Sequence, residues 1–259
     1  MAGVVRVETE GTLGWIVFDH LERRNALTAQ MWKAIPAAAQ RLAQDPAVRV
    51  VILRGAGEAA FISGADISEF ERMRTGQAAA AYDALNTRAY EAIASLEKPV
   101  LAMIHGFCMG GGMAIALQAD LRFAAQDAQF AIPAARLGLG YAPGGIDTLV
   151  RLVGPSAAKH LLFTARRFDA GEALQLGLVN AVVAKAELEA TVRSTAEEIA
   201  GNAPLTLASV KRVVRGLAQV PSFDDPGIAR SVLACFDSED YQEGVRAFLE
   251  KRPPRFRGR

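Results

Sequence analysis

Alternating apolar and polar positions open the chain, and Val4 to Glu8 and Leu13 to Phe18 read as two short strands joined around Gly11 into a hairpin. The period then becomes helical. Thr28 has the chemistry of an N-cap, and the Ala-rich stretch to about Gln44 predicts a helix that Pro36 must kink or deprive of a hydrogen bond. Val48 to Leu53 has the length and apolar content of a buried strand. After a loop from Gly55 to Gly64, a helical pattern covers about Gln77 to Leu96, and Lys98-Pro99 leads into the strand Val100 to Ile104. Leu121 to Phe123 and Gln129 to Ala131 are further short strands, and Gly138, Gly140, Pro143, Gly144 and Gly145 predict one long turn. Asp169 and Glu172 have capping-box spacing, Gly177 ends that helix, and a strand through Val179, Val182 and Val183 follows. From Ala186 onward the pattern is helical only. Strand-then-helix order up to about residue 183 predicts a layered α/β core, residues 1–185, with a helical region, 186–259, lying over it or against a neighbouring subunit.

Composition narrows the class. The 259 residues are 51% hydrophobic, enough for a substantial core, and 29 basic against 28 acidic residues leave no field to attract nucleic acid or an anionic membrane. Cys108 and Cys235 have neither disulfide-framework nor metal-site spacing. The first ten residues lack the features of a signal or transit peptide, and no run is apolar enough to span a membrane. The expectation is a cytoplasmic chain that begins at its first structural element and carries no metal or redox cofactor.

The candidate chemistry starts at Gly110-Gly111-Gly112, between the apolar run Val100 to Ile104 and the apolar stretch Met113 to Leu117. Glycines between a strand and a helix let backbone N–H groups approach an anion closely, either a phosphate or a developing oxyanion, or simply make a tight turn. The Gly-x-Gly-x-x-Gly spacing of a dinucleotide site is missing here. A second glycine-containing turn, Phe61 to Ile67, also follows a strand and its loop. One N–H from each turn, converging on one oxygen, would stabilise the enolate or tetrahedral oxyanion of a thioester.

Arg24-Asn25-Ala26-Leu27, Ser63-Gly64-Ala65-Asp66-Ile67, Lys98-Pro99-Val100, His105-Gly106 with Gly110-Gly111-Gly112, and Ala170 to Leu178 occur in this order. On them the sequence resembles the crotonase, or enoyl-CoA hydratase/isomerase, superfamily over nearly its whole length. The resemblance implies a spiral of ββα units with a helical C-terminal region that serves oligomerisation and covers the coenzyme A pocket. It also implies a homo-oligomer, a trimer or a dimer of trimers. The substrate would be an acyl-CoA thioester, with coenzyme A entering as part of the substrate rather than as a cofactor. By position, the N–H groups of Ala65 and Gly111 would form the oxyanion hole. Arg24, Ala26, Ser63, Asp66 and Ile67 would lie along the nucleotide and pantetheine, and Met109, Pro133, Ala134 and Gly138 would complete the substrate site. Arg23 and Arg24 either face the nucleotide phosphates or form a solvated pair, and Asp66 is expected to hold its loop.

The sequence departs from that family at the residues that move protons. Its hydratases use two glutamates, and the matching positions here are Ala114 and Ala134, whose methyl groups transfer no proton. The aspartate of the dienoyl isomerases and aryl-CoA dehalogenases would fall near Ala142 or Pro143, and a single-glutamate isomerase needs its carboxylate at Ala134. Tyr141, within Leu137 to Tyr141, and the tail from Phe236 to Arg252 resemble the methylmalonyl-CoA decarboxylase branch. That branch has a His at Ala65 and a Glu at Ala114, so the likeness is partial. Decarboxylation gives the enolate without a carboxylate base, and a carboxylate beside the departing group would repel it. The sequence thus favours a decarboxylase or other enolate-forming lyase assisted by Tyr141, whose other reading is a packing residue. The alternatives are an enoyl-CoA hydratase with an atypical acid and base, or an acyl-CoA-binding protein without catalysis. Arg136 suits a substrate carboxylate or a structural one. His105 reads as an orienting core residue, Asp147 as the nearest spare carboxylate, and Glu69 and Glu71 as a solvated helix face; His20 and His160 suggest no role.

Overall fold

Val4–Glu10 (β1) and Leu13–Asp19 (β2) form the expected hairpin, antiparallel with Val7 opposite Ile16. This computed structural model describes residues 3–73, 77–141, 143–218 and 236–255; Cys235 and Ala142 lie outside them, as does the side chain of Glu71. Thr28 caps Ala29–Gln44 (α1), its side chain accepting the Met31 N–H at 3.2 Å. Met31, Trp32, Ile35, Ala38, Ala39 and Leu42 recur at helical spacing and face the core. Burying a side chain such as Ile35 or Leu42 stabilises the fold by about 1.5–3 kcal/mol. The helix continues through Pro36, whose ring deprives the Trp32 carbonyl of its intrahelical donor.

A repeating unit follows. Val50–Gly55 (β3) and Ala60–Ile62 (β4) lead to the helices Phe70–Met73 (α2) and Gln77–Ala94 (α3). Val100–Ile104 (β5) and Phe107–Met109 (β6) lead to Gly111–Ala116 (α4), and Leu121–Ala125 (β7) and Gln129–Ala131 (β8) lead to Pro143–Thr164 (α5). In each unit the first strand joins one sheet and the second joins another. With Phe168–Asp169 (β9), Ala170–Gln175 (α6) and Ala181–Val183 (β10), the sheets are ordered β1-β2-β3-β5-β7-β10 and β4-β6-β8-β9. The larger sheet is parallel beyond β2, and β5 is buried along its entire length, as a sheet covered on both faces requires. This is the expected α/β spiral of ββα units.

Strand alternation divides the core in two. Ile16, Val51, Leu53, Val100 and Ala102 pack on the α1 side. Trp15, Val50, Ile52, Leu101 and Met103 pack on the other, against Leu188, Val192 and Ala196 of Leu188–Ala200 (α7). Pro204–Ala218 (α8) and Glu239–Leu249 (α9) follow. Gly244 of α9 lies so close to Leu137 that a Cβ there would sit 2.4 Å from its carbonyl carbon.

The turn expected over 138–145 holds at Gly138 and through the irregular residues 139–141, but it ends earlier than expected, because 143–145 are helical. Pro133–Leu137 is a 3-10 helix that ends at Gly138 (φ 64°), and α5 begins at Pro143, where a helix has no use for the missing N–H. Gly144 and Gly145 are poor helix formers and so predict a turn; inside α5 it is Gly145 that leaves room for the Tyr141 ring. The capping box at Asp169 forms by half. Asp169 accepts the Glu172 N–H at 2.8 Å, while the Glu172 carboxylate is paired with Arg166.

Candidate functional site

Two backbone loops meet at the C-terminal ends of β4 and β6. In the first, Leu27 and Ala65 form a bridge in which the Leu27 N–H donates to Gly64 O at 2.8 Å and the Asp66 N–H donates to Leu27 O at 2.9 Å. That pairing makes no use of the Ala65 N–H. In the second, Gly110 (φ 48°) donates to Ala131 O at 2.9 Å and turns the chain into α4. Gly111 is the first residue of α4, where an N–H has no intrahelical acceptor. A Cβ on Gly112 would lie 2.4 Å from the Ile62 carbonyl oxygen, so only glycine lets the loops approach this closely. A Cβ on Gly111 would lie 3.7 Å from the Ala65 nitrogen and 2.9 Å from Trp32 Cζ2. The two expected donors are therefore neighbours in space.

They open onto a cavity of about 60 Å³ whose walls include Ala65, Gly111, Trp32, Leu139, Tyr141 and Gly145. The Trp32 Nε1–H donates to Tyr82 Oη at 3.1 Å, and its ring meets Tyr90 edge to face at 5.7 Å, which fixes the indole beneath Gly111. Tyr141 packs against Gly145, whose missing Cβ would sit 2.5 Å from its Cε1, and its hydroxyl donates to Gly110 O at 3.3 Å. A larger groove of about 570 Å³, with Ala39 and Ala43 of α1 and Leu205 and Ala208 of α8 in its walls, shares no residue with this cavity. The two expected donors, Ala65 and Gly111, and Tyr141 all lie in the wall of the smaller cavity, which makes it the candidate site.

The opposite wall is α3. Asp83, Asn86, Thr87 and Tyr90 stand at i, i+3, i+4 and i+7 and all line the cavity. Sequence reasoning missed this stripe. The signal was its spacing on an Ala-rich helix, beside the buried stripe of Ala79, Tyr82, Ala89 and Ile93. Asp83 places a carboxylate in the cavity wall, where the sequence leads us to expect none. Ala114 is fully buried in α4 and Ala134 is 8% exposed in the 3-10 helix.

The other expected residues form a second group along one edge. Segment 24–27 runs beside 63–66: the Ser63 N–H donates to Arg24 O at 3.1 Å, and Ser63 Oγ donates to Arg23 O at 3.0 Å. Arg24 is exposed, with its guanidinium 5.0 Å from the centre of the Phe107 ring. Ala26 is buried, its carbonyl held at 2.9 Å by His20 Nδ1, and Ile67 is half-buried against the core. Asp66 holds its loop, accepting from Ser68 N at 3.1 Å and Ser68 Oγ at 2.7 Å. Met109, Pro133, Ala134 and Gly138 stay outside the cavity wall. A Cβ on Gly138 would meet the Asp240 backbone at 2.7 Å, so this residue serves the packing of α9. Asp147 is paired with Arg151 at 2.8 Å, Glu69 accepts the Ala29 N–H at 2.8 Å at the start of α1, and Arg136 and His160 are exposed.

The sequence model of the enoyl-CoA hydratase/isomerase family matches residues 8–259. The short-chain-enoyl-CoA hydratase of Clostridium acetobutylicum is 36% identical over 253 residues, 96% of this chain and 95% of that protein. An enoyl-CoA hydratase/isomerase family protein from Hyphomonas neptunium is 41% identical, with a TM-score of 0.81 over 98% of each chain. Methylmalonyl-CoA decarboxylase complexed with 2S-carboxypropyl-CoA superposes with a TM-score of 0.90 and 33% identity over the whole of both chains. No helix among the described residues is long and apolar enough to cross a membrane.

Proposed function

Because this chain belongs to the enoyl-CoA hydratase/isomerase family, we propose that it is a lyase that binds an acyl-CoA and holds its thioester enolate in a hole formed by the N–H groups of Ala65 and Gly111. The observation that carries this reading is the approach of the two loops, with the Gly111 Cβ position 3.7 Å from the Ala65 nitrogen. Two fixed donors stabilise charge on the thioester oxygen more than they stabilise the neutral carbonyl, and such a difference lowers the barrier. Coenzyme A lies along segments 24–27 and 63–67, where Arg24 offers a charge to a phosphate. The acyl group enters the cavity between Trp32, α3 and Tyr141. The protein acts in the cytoplasm as a homo-oligomer.

The reaction is addition of water to a 2-enoyl-CoA, or its reverse. What supports this choice over decarboxylation is Asp83, a carboxylate in the cavity wall. Proton transfer needs such a group, whereas a departing carboxylate is repelled by it. The hydratase from Clostridium acetobutylicum points the same way. Decarboxylation of a malonyl-type thioester is the second reading, favoured by Tyr141 in the cavity and by the likeness to methylmalonyl-CoA decarboxylase. Separate incubations with crotonyl-CoA and with methylmalonyl-CoA, followed by absorbance of the enoyl thioester and by carbon dioxide release, decide between them. Loss of the enoyl absorbance with crotonyl-CoA is expected. Carbon dioxide release with no hydration would reverse the choice, and thermal stabilisation by acyl-CoA without turnover would leave a binding protein.

A further inference from the structure

Asp83 and Asn86 stand one turn apart on α3, on the face that lines the cavity shared by Ala65 and Gly111. Asn86 is only 9% exposed, and among the described residues its Oδ1 has no hydrogen-bond partner. Buried amide oxygens are ordinarily matched by a donor, so a donor supplied by a ligand explains keeping it there. Among the described residues, no other group in the cavity wall is an anionic proton acceptor. The remaining polar side chains described there are the hydroxyls of Thr87, Tyr90 and Tyr141, all weak bases at neutral pH, and the Trp32 indole N–H, a donor only.

We infer that Asp83 is the proton-transferring residue of this site and that Asn86 holds the water or 3-hydroxyl on which it acts. This rests on the hydratase reading given above and names the group that carries it out. Water bound to Asn86 Oδ1 attacks C3 of the enoyl thioester while Asp83 takes one of its protons. The C2=C3 pair shifts through C2–C1 to the thioester oxygen, where the Ala65 and Gly111 N–H groups receive it. Asp83 then returns the proton to C2 as the enolate collapses, so one water is added and the carboxylate is regenerated. A single carboxylate thus does the work that the residues at 114 and 134 cannot. The substrate class follows: the acyl chain is uncharged near C2 and C3, because an anionic substituent there would face Asp83.

The test compares the wild-type protein with Asp83→Asn and Asp83→Ala, using crotonyl-CoA for hydration and butyryl-CoA in D2O for exchange of the C2 protons. Removing a general acid–base lowers rates by about 10²–10⁴-fold. Asp83→Asn should lose hydration to that extent while keeping the thermal stabilisation by butyryl-CoA. Added formate should restore part of the activity of Asp83→Ala, which a purely structural role would not allow. Hydration by Asp83→Asn within threefold of wild type overturns the assignment and leaves the hydratase reading standing. Loss of both hydration and butyryl-CoA binding in both variants, without formate rescue, overturns it as well. If the wild type exchanges C2 protons without hydrating, and Asp83→Asn does not exchange, Asp83 is upheld and the hydratase reading falls. If the wild type does neither, both fall.

Discussion

The three consecutive glycines do three different jobs, and each is set by what a side chain would strike. Gly110 adopts a positive φ to turn the chain, Gly111 keeps a methyl group off Trp32, and Gly112 lets a helix start against the Ile62 carbonyl. His105, at the end of β5, is a residue of another kind. It is 4% exposed, its Nε2 has no hydrogen-bond partner among the described residues, and burial, followed by the charges of Arg54 and Lys185, lowers its pKa from the ordinary 6.5. A depressed pKa in the folded state means that the unfolded chain takes up the proton first as pH falls. The neutral ring therefore contributes stability that is complete above about pH 6.5 and is lost as the pH falls through the lower folded value. Urea titrations at several pH values from about 7 to 5 should show stability declining in the wild type and a flatter profile in His105→Gln. The same slope in both would mean that His105 is not the group responsible.

Among the elements, the loop 24–27 is the one fixed most completely by a single side chain. Asn25 is 1% exposed at φ 58°, its amide nitrogen donates to Ala56 O at 3.0 Å and Ala60 O at 2.8 Å, and its Oδ1 accepts the His20 N–H at 3.0 Å. Asn25→Ala strands these three groups and places alanine in a left-handed conformation. The expected loss is about 3 kcal/mol in urea unfolding, together with weaker acyl-CoA binding because the loop beside Ala65 is released. Unchanged stability would show that water replaces the amide. How far the elements were legible follows from the same physics. The strands β5 and β8 and the helix α1 announce themselves by apolar period and by the Thr28 cap. The start of α5 does not, because two glycines stand in its first turn and one of them, Gly145, is there to accommodate Tyr141 rather than to favour a turn. The α3 stripe went unread because Asp83, Asn86 and Thr87 resemble any solvated helix face until the opposite wall is known.

Across the whole molecule, function depends on two sheets advancing together. Each ββα unit puts one strand in the six-stranded sheet and the next in the four-stranded sheet, so the ends of β4 and β6 arrive side by side with their glycine turns. The sequence motifs identified both turns, but only the tertiary fold brings Gly111 next to Ala65 and sets α3 across from them. The claim that these two N–H groups grip a thioester oxygen is tested most directly by the infrared carbonyl band of bound butyryl-CoA carrying ¹³C at C1. It should be compared among wild type, Gly111→Pro and Gly111→Ala. Proline is tolerated at the first position of a helix and removes the N–H, whereas alanine keeps the N–H and makes the same 2.9 Å contact with Trp32. The expected result is a band at lower frequency than in free butyryl-CoA for wild type and Gly111→Ala, moved back towards the free value in Gly111→Pro, with turnover falling by about 10²–10³-fold beyond any loss in Gly111→Ala. A band at the free frequency in the wild type, or an equal shift in Gly111→Pro, would contradict it.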